Sequence, residues 1–162
     1  MPHDVTPSPV SLSEEEMTAA LEAAAKFSGS ELRRAATHLL LATGLPGRAD
    51  FARHTALMWE EVPEVGRVLI AEVDWTALRE DESIYLHGGA DKLLHLALSY
   101  AKGRPVHLDA YLNGFGTATA KTVLEAHMIG MGLEGFFILE DGPRLEELKA
   151  LHAELGIEGD DE

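Results

Sequence analysis

Cysteine is absent from the 162-residue chain. That excludes a disulfide framework, a thiolate metal site and a cysteine nucleophile, and it is compatible with a reducing compartment. Positive charge is scarce. Thirteen Lys and Arg stand against 28 Asp and Glu, a formal net charge of −15. A uniformly acidic surface repels nucleic acid and anionic membranes, because binding there relies on Lys and Arg neutralising phosphates. No apolar run approaches the roughly 20 residues of a membrane span. The start, MPHDVTPSPVSLSEEE, has neither a basic n-region nor an apolar h-region. No signal peptide is therefore expected there, and a cytoplasmic location is the expectation. Neither H-E-x-x-H nor G-x-S-x-G occurs, and no repeat of solenoid length is visible.

What is present supports one folded domain. A hydrophobic content of 46% excludes a wholly disordered chain. This length can bury a real core. Residues 1–12, with three prolines and several Ser and Thr, read as a disordered arm. Residues 13–155 read as a single helical domain, and 156–162 as an acidic tail.

Helix signals dominate the first half of that domain, residues 13–80. Ser13 and Glu16 make a capping box, S-x-x-E, ahead of an apolar stripe of Met17, Ala20, Leu21, Ala24 and Phe27. Ser28 and Glu31 suggest a second box, with Leu32, Ala36, Leu39 and Leu40 as the next stripe. Gly44 and Pro46 end it. Asp50 can cap a third helix containing Phe51, Thr55 and Met58, limited by Pro63 and Gly66. Residues 67–75, RVLIAEVDW, suit a buried strand or a buried helix, and over so short a window periodicity does not arbitrate. Helical surroundings favour helix. Asp74 or Thr76 can cap a further turn through Leu78.

The run at 88–102 is apolar almost all round, which predicts the most buried helix of the fold. HLDAYL (107–112) predicts a short helix, Asn113-Gly114 a turn, and 117–132 a longer helix. GFFIL (135–139) is the best strand candidate, within a minor hairpin near 134–141. Pro143 suits a first helical position. Leu145, Leu148, Leu151 and Leu155 then form the stripe of a C-terminal amphipathic helix, 143–155.

The succession of helix, short helix, turn, helix and strand over 88–141 resembles a helix-turn-helix unit in its winged form. Ala110 occupies the small-residue crossing position, Gly114 the turn, and Phe115 the apolar plug. Ala120 and Val123 take the inner face of the second helix. The resemblance implies that Thr117, Thr119, Lys121 and Thr122 face outward as candidate DNA contacts. Between residues 88 and 133, Lys92, Lys102, Arg104 and Lys121 exceed Asp91, Asp109 and Glu125 by one charge. The acidity is thus segregated away from the unit. One lysine on the recognition helix is nevertheless few for a DNA reader, and Glu134, Glu140 and Asp141 put the wrong sign on the wing. Residues 88–132 also resemble segments of uncharacterised small proteins of actinobacteria and their phages, a resemblance that implies a source and no activity.

Two other motifs lack the context that their chemistry needs. GMGLEG (130–135) spells G-x-G-x-x-G, but a helix precedes it and a strand-like run follows, the reverse of a dinucleotide fingerprint. His87, Asp91 and His95 have i, i+4, i+8 spacing and are the only candidates for a metal site. Gly88 and Gly89 argue against a helical His87, and a hydrogen-bonded core histidine explains His95. No metal and no cofactor is expected.

The sequence therefore points to a mainly α single-domain bundle with a winged-helix-like C-terminal half. The function expected is non-enzymatic: an acidic interaction or regulatory protein, from a bacterium or phage, acting through protein–protein contacts. Its partner would be another protein or a second copy of itself. The Leu145, Leu148, Leu151 and Leu155 stripe and the outer face of 117–127 are the candidate partner surfaces. The alternatives are a helix-turn-helix transcriptional regulator and an acidic mimic of DNA.

Overall fold

The computed structural model describes residues 6–103, 105–107, 111 and 113–156. They form seven α-helices and one two-stranded antiparallel sheet. The chain is mainly α, with a minor hairpin, as the composition and stripes predict.

The first helix, α1 (Glu14–Phe27), starts where the sequence says it should. Ser13 accepts from the Glu16 N–H at 3.2 Å, and the Glu16 carboxylate accepts from the Ser13 N–H at 2.8 Å. These two bonds satisfy backbone donors that a helix start leaves open. The Ser13 bonds also hold the Glu16 carboxyl below the usual carboxylate range. Met17, Ala20, Leu21 and Ala24 are buried along the predicted stripe.

The second helix, α2 (Glu31–Leu41), corrects the expected cap. Ser30, not Ser28, is its N-cap and accepts from the Arg33 N–H at 3.3 Å. Ser28 instead donates to the Ala25 carbonyl at 2.7 Å, closing α1. The inner face follows Ala35, Ala36, Leu39 and Leu40, all fully buried, while Leu32 is 52% exposed and leaves the stripe. Leu32 stands in the first turn of α2, at the end of the helix, where the core does not cover it.

The third helix is shorter than expected. α3 (Ala49–Ala52) buries Phe51 and stops within one turn. Thr55 and Met58 then lie not on a helix but on β1 (Thr55–Val62), which pairs with β2 (Gly66–Val73). The register runs from Thr55 opposite Val73 to Val62 opposite Gly66. Pro63 and Gly66 thus bound a hairpin turn rather than a helix end. Val68, Ile70 and Val73 are β-branched and suit the pleat. Beyond β2, Asp74 caps α4 (Trp75–Glu80) by accepting from the Thr76 and Ala77 N–H groups at 3.1 and 2.9 Å. Residues 64–78 are therefore the end of a turn, a strand and then helix.

α5 (Gly88–Lys102) buries Leu93, Leu94, Leu96, Ala97 and Leu98, and Gly103 closes it at φ 65°. It shares the centre of the core with α2, which packs on α1, α5 and α6 (Thr117–Gly130). α2 and α5 each bury five residues, so the burial expected for 88–102 is shared with α2. The last helix is α7 (Pro143–Leu155), with Pro143 in its first turn as predicted.

GFFIL forms no strand. One isolated bridge joins Glu134 and Phe137, and residues 138–142 have no regular structure. The hairpin expected near 134–141 is found instead at 55–73. Within the arm expected to be disordered, Pro9–Ser11 form a 3-10 turn and Leu12 packs on the core. No helix among the described residues is long and apolar enough to cross a membrane.

Candidate functional site

The residues carried over from the helix-turn-helix resemblance divide. Gly114 stands in the turn at φ 80° and Phe115 packs on the core, with the Lys92 ammonium 5.4 Å from its ring centroid. Val123 is buried and Ala120 half-buried on the inner side of α6. Ala110 lies outside the described residues, as does most of the expected 107–112 helix.

The four candidate DNA contacts do not share one open face. Thr119 borders a cleft of about 830 Å³ between the starts of α5 and α6, where its hydroxyl comes within 3.3 Å of the Cβ position of Gly89. Thr122 turns back and donates to the Ala118 carbonyl at 3.2 Å. Lys121 lies 3.5 Å from the Asp141 carboxylate. Thr117 is exposed. A helical step of 100° per residue separates positions 119 and 121 by about 200°, so these two point apart.

The candidate metal residues do not converge. His87 is the N-cap of α5 and meets the Tyr85 ring edge-on at 4.5 Å. His95 is half-exposed rather than a core residue. Its Nδ1 lies 2.9 Å from the Asp91 carbonyl oxygen and 3.6 Å from the Asp91 carboxylate. No group of three or more His, Asp or Glu able to hold a metal ion occurs among the described residues.

The C-terminal stretch, 131–155, differs from the rest of the chain. α7 buries no residue. Leu148, Leu151 and Leu155 are 39%, 49% and 62% exposed, and Leu145 is half-buried. Upstream, Phe136, Phe137 and Ile138 are 79%, 62% and 82% exposed. Polar contacts hold this arm in place. Arg34 of α2 pairs with Glu134 as well as with Glu31. Asp141 is shared by Lys121 of α6 and Lys149 of α7, the latter at 2.6 Å. Lys149 first, then Lys121, hold the Asp141 carboxyl below its ordinary range. Lys149 also reaches Glu146 at 3.2 Å, and its own ammonium is stabilised upward by these carboxylates.

A groove of about 380 Å³ runs beside the arm, walled by Met128 and Ile129 of α6 and by Phe137, Ile138 and Leu139. Its rim is charged, with His38 Nε2 3.1 Å from Glu125 Oε2. Single exposed apolar residues are ordinary on a protein surface, but a run of them marks contact with something else. The leucine stripe was legible in the sequence. Phe136, Phe137 and Ile138 are not legible as surface, because three consecutive apolar residues read as a buried strand. No family model, curated protein or solved structure matches the chain.

Proposed function

We propose that this is a non-enzymatic interaction protein that works through protein–protein contacts made by its C-terminal arm. The observation that carries the reading is that Asp141, shared by Lys149 of α7 and Lys121 of α6, ties the arm to the body while no residue of α7 is fully buried. An amphipathic helix draws most of its stability from packing its apolar face, and among the described residues Leu148, Leu151 and Leu155 of this one stay exposed. Phe136, Phe137 and Ile138 extend the same apolar character upstream.

The DNA-binding alternative has less support. Lys121 is occupied by Asp141, and the residues about it, Glu125 and Glu134, are acidic. The mimic of DNA rests on the acidic runs at Glu60, Glu61 and Glu64 and at Glu80, Asp81 and Glu82, which serve equally as solvated faces.

The test compares full-length protein with its Leu148→Asp/Leu151→Asp variant as affinity baits, with a differently tagged copy of the chain among the prey. Proteins held by the first and lost by the second support the reading. An unchanged set of retained proteins, own copy included, overturns it.

A further inference from the structure

We infer that residues 131–155 form a detachable strap, latched to the body of the protein by two ion pairs, Arg34 with Glu134 and Lys121 with Asp141. The inference concerns how the arm is held, and it stands apart from what the arm contacts when free. Three observations carry it.

The first is what the strap lacks. The buried core extends no further along the chain than Ile129. From 131 to 155 no residue is buried, and only Leu133, Leu139, Leu145 and His152 are half-buried. Among the described residues, the backbone hydrogen bonds of 134–155 stay within the arm. α7 shares no substantial packing with any other element. Segments are fixed to a fold by buried apolar area or by shared backbone hydrogen bonds, and the strap has neither.

The second is what holds it. Among the described residues, two polar side-chain contacts cross from the strap to the body. Glu134 pairs with Arg34 of α2, and Asp141 lies 3.5 Å from Lys121 of α6. All four side chains are partly open to solvent. An exposed ion pair favours contact by at most about fivefold. A link made of two such pairs opens and closes readily.

The third is the charge behind the link. The strap holds Arg144 and Lys149 against six Asp and Glu, a balance of −4. Residues 1–130 hold eleven Lys and Arg against eighteen Asp and Glu, a balance of −7. Strap and body therefore repel on average, and the two sites where a body cation meets a strap carboxylate oppose that repulsion. Docking depends on those four charges. Release opens the groove of about 380 Å³, because Phe137, Ile138 and Leu139 form one wall and Met128 and Ile129 of α6 another. The latch thus decides whether the apolar side of α6 is covered.

The experiment measures the spacing of strap and body with paired spin labels on the full-length protein. The chain lacks cysteine, so Glu15→Cys on α1 and Ala150→Cys on α7 supply the two labelling sites, both exposed. Three charge backgrounds are compared: the natural one, Glu134→Lys/Asp141→Lys, and that pair combined with Arg34→Glu/Lys121→Glu. The second changes exposed strap residues alone and leaves the core untouched. The third restores opposite signs at both contacts. The natural background should give one narrow distance. Reversing the strap charges should broaden it, with the ratio of docked to free strap down at least about tenfold. The swap should bring the narrow distance back. If the fourfold variant melts early, Arg34→Glu/Glu134→Arg, which restores one contact, takes its place. A broad distribution in the natural background overturns the inference. So does a narrow one in the reversed strap, or one that stays broad after the swap.

Discussion

His54 Nε2 lies 2.7 Å from Asp81 Oδ2, joining the entry of the hairpin to the end of α4. Asp81 also accepts from the Ser83 hydroxyl at 2.5 Å and the Ser83 N–H at 2.9 Å, and Arg53 stands 3.5 Å away. The Ser83 hydroxyl, then His54, hold its carboxyl well below the usual range. With its serine bonded to the carboxylate rather than to the histidine, the cluster works as a clasp. It is not a nucleophilic triad.

The clasp has a pH signature. A depressed carboxyl binds its proton later in the folded than in the unfolded chain, so its contribution is complete above about pH 4. It is lost as pH falls from there through the folded value. Asp81→Asn should lower the melting temperature at neutral pH, and the gap from the natural chain should narrow below about pH 4. Thermal unfolding from neutral to strongly acidic pH checks this. A constant gap would show that Asp81 acts without its charge.

α5 and α6 meet at a glycine. A Cβ on Gly130 would lie 2.8 Å from Cε1 of Tyr100 and 3.5 Å from the Ala35 methyl. Gly130→Val should destabilise by about 1–3 kcal/mol, the usual cost of overpacking. Tyr100→Leu should recover part of that loss, because the two changes act on one contact. Denaturant unfolding of the two single variants and the double variant measures the coupling.

Glu64, at the hairpin tip, is the one non-glycine with positive φ among the described residues, at 67°. The left-handed conformation costs an L-residue roughly 1–2 kcal/mol, and glycine pays about 0.5–1 kcal/mol in added chain entropy. Glu64→Gly should therefore be neutral to stabilising, by up to about 1 kcal/mol. Removing one negative charge beside Glu60 and Glu61 works in the same direction. Chemical denaturation midpoints decide it, and a clear loss would contradict the turn.

The core and the arm should respond differently to truncation. Leu39 is fully buried in α2, so Leu39→Ala should cost about 2–5 kcal/mol. Leu148→Ala should cost the isolated chain less than about 0.5 kcal/mol, the range of surface changes. Unfolding at concentrations low enough to keep the chain monomeric compares them.

Local chemistry determined several features before any fold was known. Ser13 and Glu16 cap α1 whatever surrounds them, because the bonds lie within one turn. Asp74 and Pro143 mark helix starts, and Gly103 a helix end, for equally local reasons. The leucine periodicity of 145–155 specified an amphipathic helix and its stripe. What the stripe packs on was beyond sequence, because burial is a relation between distant segments.

Tertiary structure decided the rest. Residues 55–62 and 67–73 are short apolar runs whose conformation depends on pairing. A strand is satisfied only by a partner's hydrogen bonds, and these two found each other across Pro63–Gly66. GFFIL has comparable local chemistry but no strand beside it, so Phe136, Phe137 and Ile138 remain in solvent. Thr119 and Lys121 diverge by the helical step alone, but α2 and α5 set which of the two faces inward. Sequence determines what a single turn can satisfy with its own atoms. Pairing, facing and exposure follow from which segments meet.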